Sequence, residues 1–169
     1  MMAATVQLKA YTGTSGAMEN PTTGAATNFN LLSFDKYDTT GTWRISYPVS
    51  VPVTGNSYSF ERILRFKFNG IATAISGIKA YSGWAAPTGV TLLAGISDTA
   101  TSPKNTASGV AVSAIPTSVG SALDLTPGGG LTPSTGYSKY LYLQLKVAST
   151  CVVVGDLGEI PLELTYTGT

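Results

Sequence analysis

The residues able to do chemistry in this chain are few, and the most versatile of them is missing. There is no histidine among the 169 residues. The commonest general base and metal ligand is therefore absent, and neither a Ser-His-Asp nor a Cys-His arrangement can be assembled. The nine acids are Glu19, Asp35, Asp38, Glu61, Asp98, Asp124, Asp156, Glu159 and Glu163. A pair of carboxylates can cleave a glycoside, but most of these fall in predicted turns or on outward strand faces, where a solvated role is expected. Asp35 and Asp38, in FDKYD, are close enough to share a calcium ion, although no further oxygen ligands come with them. The single cysteine, Cys151, precedes Val152, Val153 and Val154 and reads as a buried apolar thiol. Alone, it forms neither an internal disulfide nor a zinc site. No catalytic, cofactor-binding or metal-binding residues are expected, and no enzymatic activity.

Two further stretches imitate functional motifs. PGGGLTPSTG is glycine-rich but lacks the Lys-Ser/Thr ending of a phosphate-binding loop and precedes a strand rather than a helix, so it reads as a flexible connection. Arg62, Arg65 and Lys67 interleave with phenylalanines like a nucleic-acid surface. Because the rings alternate with the charges, they belong on the opposite, buried face.

Ten Lys plus Arg against nine Asp plus Glu give a net charge of +1, which offers no electrostatic case for nucleic acid or an anionic membrane. Only 11% of residues are charged, where about a quarter is typical. Either Thr, Ser and Asn solvate the surface or partners cover much of it. The start, MMAATVQLKAYTG, has no basic, then apolar, secretory pattern, and no apolar run nears the ~20 residues that span a bilayer. Synthesis in a cytoplasm is the expectation. Pro- and Gly-interrupted strands and absent aromatic girdles weigh against an outer-membrane barrel.

The elements that must position these residues are strands. In YSFERILRFKFNG (58–70), Phe60, Leu64, Phe66 and Phe68 alternate with Glu61, Arg65, Lys67 and Asn69, the period of a half-buried strand. Arg62 falls among the apolar positions and Ile63 among the polar ones, which a bulge nearby would repair. In YSKYLYLQLKV (137–147), Leu141, Leu143, Leu145 and Val147 face inward and Tyr140, Tyr142, Gln144 and Lys146 outward. Weaker alternation predicts strands over 4–11, 29–34, 43–53, 75–81 with a break at Gly77, 90–96, 109–115, around Leu123 and Leu125, and 160–166. Pro48 and Pro52 place the 43–53 strand at a sheet margin. Residues 98–108 read as a polar loop and 12–28 as a long one, which in a compact domain calls for an external reason. Trp84, in a loop of small residues, is a lid on the core or an outside contact, with the lid preferred. The chain predicts one all-β domain over 1–169, an antiparallel sandwich of about eight to ten strands.

FERILRFKFNGIATAISGIKAY, then PTGVTLLAGISDTATSP and VSAIPTSVGSALDL, resemble small β-sandwich virion proteins of tailed bacteriophages, the auxiliary head proteins that decorate or cement the capsid. The likeness covers roughly residues 58 to 147 and lies in phrase order rather than a diagnostic signature. It implies a jelly roll or related sandwich, a homo-oligomer of trimeric form, a place on the outer capsid surface bound to the major capsid protein, and no catalytic residues. Expected interface residues are Met18, Asn20 and Pro21 in the long loop, Trp84, and Tyr140 and Tyr142 on the outward face. The competing expectation is a carbohydrate-binding sandwich of a tail fibre or adhesin, with Trp84, Tyr140 and Tyr142 as a sugar platform.

Overall fold

The computed structural model describes residues 5–11, 18–19, 49–70, 73–132, 135–153, 155, 157–158 and 160–169. Their strands form two antiparallel sheets packed as an all-β sandwich. The larger sheet runs in the order β2 (Met18–Glu19), β1 (Thr5–Tyr11), β4 (Arg62–Asn69), β10 (Tyr140–Ala148), β6 (Val90–Ser97), β7 (Ser113–Ala114). Two short strands attach beside this path, β3 (Asn56–Tyr58) to β10 and β9 (Gly136–Tyr137) to β4. The smaller sheet has the order β11 (Glu163–Gly168), β5 (Ile75–Tyr81), β8 (Leu123–Asp124). The jelly roll is a finer assignment than these strand orders carry.

Strict alternation explains the core. Leu64, Phe66 and Phe68 of β4, Leu141, Leu143, Leu145 and Val147 of β10, and Val90, Leu92 and Ala94 of β6 all pack inward. They meet Ile75, Ile78 and Ala80 of β5 and the flank of β11, Leu164 and Tyr166. Phe68 meets Tyr166 edge to face, centroids 5.2 Å apart at 77°, joining the two sheets by the geometry aromatic quadrupoles favour. Ile75 and Ile78 are three residues apart, so plain alternation cannot aim both at the core. A bulge solves this: Gly77 has φ of 57° and the β5–β11 ladder slips between Thr165 and Thr167, the arrangement of a glycine-led bulge. The expected break at Gly77 is this bulge.

Other expectations need correction. A bulge does interrupt the first strand, but ahead of Arg62: Tyr58 pairs with Lys146 and Arg62 with Leu143, so Ser59, Phe60 and Glu61 stand against only Gln144 and Leu145. The register from Arg62 to Leu64 is unbroken; Arg62 keeps its inward position, opposite Leu143, and Ile63 its outward one, opposite Tyr142. Phe60, in the bulge, lies outside the core cluster. The proposed 43–53 strand is described only from Val49 onward, and there it is not a strand. Val49 packs against the core, whereas Val53 is 96% exposed. Within the expected loop 12–28, Met18 and Glu19 pair with Tyr11 and Ala10 as a short hairpin arm; the rest of that segment, like the 29–34 strand, lies outside the described residues. The 109–115 strand shrinks to Ser113–Ala114. PGGGLTPSTG is more than a flexible connection, since Leu131 is buried and exchanges both backbone hydrogen bonds with Ile75.

Candidate functional site

Among the described residues, the outer face of the large sheet divides into a covered half and an open half. Over β6, β10 and the start of β4 the chain between β6 and β7, residues 98–112, lies flat as a strap. Beneath it Ile63, Leu93 and Tyr142 form a second small apolar cluster with Ala111 of the strap. The strap is held mainly through its backbone. The Glu61 carboxylate accepts from the backbone NH of Ala111 (2.8 Å), Lys104 (3.1 Å) and Val110, while the Glu61 NH donates to the Lys104 carbonyl. Gln144 donates its amide to the carbonyls of Ser59, Lys104 and Thr106 at 2.9, 3.0 and 3.3 Å. The Tyr142 hydroxyl accepts from the Thr101 NH at 2.7 Å and donates to the Thr99 carbonyl. Room for the strap comes from missing side chains: a β-carbon on Gly95 would collide with the Val110 backbone, and one on Gly109 with the Glu61 carboxylate.

This geometry overturns two expectations. Tyr142 and Gln144 do point away from the main core, but both are wholly buried, so Tyr142 reaches neither a partner nor a sugar. Glu61, expected to be solvated, is 1% exposed. Its burial is tolerated because the backbone NH groups of Lys104, Val110 and Ala111 converge on its oxygens, so these buried polar atoms keep hydrogen-bond partners away from water.

The open half comprises β1, β9 and the remainder of β4. Cross-strand partners share a face, and here Lys9 stands opposite Arg65 and Gln7 opposite Lys67, with Tyr137 on the far side of Lys67. Arg65 is fixed rather than loose. Its guanidinium lies 4.9 Å from the Tyr137 ring centre and 4.4 Å from that of Tyr140. It donates from Nε to the Ser138 carbonyl at 2.5 Å and from Nη1 to the Tyr140 hydroxyl at 3.2 Å. The Lys67 ammonium lies 5.9 Å from the Tyr137 ring centre. Lys9, Arg65, Lys67, Tyr137 and Tyr140 are all partly exposed.

Of the expected interface residues whose side chains are described, Tyr140 joins this face. Trp84 packs against the main core from the loop after β5, as a lid does. Met18 takes its place in β2, while Asn20 and Pro21, like the Asp35 and Asp38 pair, lie outside the described residues. Lys9 and Tyr137 were not anticipated: Lys9 stood at an outward position of its strand, whereas alternation over 137–147 put Tyr137 in phase with the inward leucines, and the break between β9 and β10 sets it opposite Lys67 instead.

Among the described residues no group of three or more acids and cysteines could hold a metal ion, and no helix is long and apolar enough to cross a membrane. Cys151 is buried in the main core. The chain matches no protein-family model, no curated protein and no solved structure.

Proposed function

We propose that the protein is a structural virion component, a capsid decoration or cement protein that binds the lattice of the major capsid protein as a homo-oligomer, a trimer by resemblance, on the outer shell. It is made in the host cytoplasm and acts without catalysis, cofactor, nucleic acid or membrane. The observation that carries this reading is the use of Glu61, Tyr142 and Gln144. The polar groups best placed to serve a ligand on the outer sheet lie beneath the strap and fasten it. Such an arrangement favours a rigid building block.

The carbohydrate-binding alternative loses support from the same geometry. Tyr142 is buried, Trp84 is packed on the core, and Arg65 lies against the Tyr140 ring, so the three aromatics make no common platform. The deciding experiment is stoichiometry. A cement protein sediments with purified shells in copy numbers matching the lattice and raises their resistance to heat, whereas a glycan-binding module binds glycans in isolation and is present in few copies.

A further inference from the structure

We infer that the open half of the outer sheet, built on Lys9, Arg65 and Lys67, is a docking face for a carboxylate-rich protein surface. The first argument is local repulsion. Lys9 and Arg65 are direct cross-strand neighbours and Lys67 follows on the same face. Like charges set opposite one another destabilise a sheet. Of the acids whose side chains are described, Glu61 holds the strap, Asp98 lies 3.7 Å from Lys139, Asp124 accepts from Thr126, and Glu163 accepts from Tyr81. A face that keeps three cations together is complemented by an anionic partner.

The second argument is presentation. Arg65 is packed against two rings and tied to the Ser138 carbonyl, so little side-chain entropy remains to be lost when a carboxylate arrives. The third concerns the kind of anion. The rings that could stack on bases or sugars already contact Arg65, and the cations sit on adjacent strands of a sheet instead of lining a groove along a strand of phosphates. Spaced carboxylates on a second protein fit this layout best. That this protein is a capsid subunit rests on the virion reading; the face and its chemistry do not.

The test uses the intact protein and a poly-glutamate peptide, with single-stranded DNA and a heparin fragment as competing polyanions. Wild-type protein binds poly-glutamate at low salt, and Lys9→Ser/Lys67→Ser weakens that binding by about tenfold or more. Lys79→Ser, which removes a charge from the small sheet, leaves it unchanged. Relief of repulsion keeps the double variant at least as heat-stable as wild type. Equal weakening by Lys79→Ser, or tighter binding of DNA or heparin than of poly-glutamate, overturns the inference. On shells, loss of retention by the double variant alone supports both proposals. Equal retention of both proteins overturns the docking face, and poly-glutamate binding with no shell association by wild type overturns the virion reading while sparing the face.

Discussion

Gly109 lies so close to Glu61 that a β-carbon at Gly109 would land on the carboxylate itself. The absence of one side chain thus makes room for a buried carboxyl group, whose oxygens bind the strap through the amides of Lys104, Val110 and Ala111.

Glu61→Ala leaves those amides without their acceptor under a closed strap. An orphaned buried donor costs about 1–3 kcal/mol, so a loss of about 3 kcal/mol or more is expected in denaturant unfolding. Amide exchange at Val110 and Ala111 should accelerate more than at Leu92 or Leu143. Uniform acceleration across the sheet would show that the strap is not a separate unit.

Tyr142→Phe keeps the ring and removes the hydroxyl that bonds Thr101 and Thr99. The expected cost is about 1 kcal/mol, with the fastest new exchange at the Thr101 amide. A loss as large as that from deleting the whole ring would contradict the geometry.

Phe66→Ala should cost about 3–5 kcal/mol, because the ring is 5% exposed in the main core. Val53→Ala, at a position 96% exposed, should stay within about 0.5 kcal/mol of wild type. Thermal unfolding of the two variants side by side checks both; a similar shift in each would refute the inward and outward assignments.

Asp124 ties β8 to β5. The Thr126 hydroxyl and then the Thr126 NH hold its carboxyl below the usual carboxylate range, with Lys139 and Lys79 adding less, while the same hydroxyl oxygen accepts from the Ile78 NH. A depressed folded pKa stabilises above the unfolded carboxylate value, and the contribution is lost as pH falls through the folded one. The stability gap between wild type and Asp124→Asn should therefore be full at neutral pH and close in acid. At the alkaline end, the hydrogen bond to Glu163 raises the Tyr81 pKa. Its contribution is complete below the ordinary tyrosine value and disappears as pH rises through the raised one, so Tyr81→Phe should flatten the alkaline limb. An unchanged gap or limb would count against each linkage.

What was readable beforehand followed from side chains that bury apolar surface. Leu141, Leu143, Leu145 and Val147 announce one face of β10 because only alternation satisfies them, and Gly77 announces a break in β5, which the ladder shows to be a bulge. The covered outer face was hidden because its cover, DTATSPKNTAS, binds through backbone amides and carbonyls, which every sequence possesses. Ile63, Leu93 and Tyr142 held the hint, three apolar outward positions on strands that turn out to be neighbours. The docking face was hidden for another reason: Lys9, Arg65 and Tyr137 are far apart in the chain, and only strand pairing brings them together.

The strap also sets an order of events during synthesis. Residues 98–112 leave the ribosome well before Tyr142 and Gln144, which supply two of the three side-chain anchors. Until β10 arrives, β4 and β6 lack the strand that lies between them, and the strap has no floor to close on. Completion of the sheet therefore waits for the last third of the chain, and contacts this distant in sequence favour slow folding. Slowing translation before Tyr140 should prolong an open intermediate in which Leu93 and Ile63 are accessible to a chaperone.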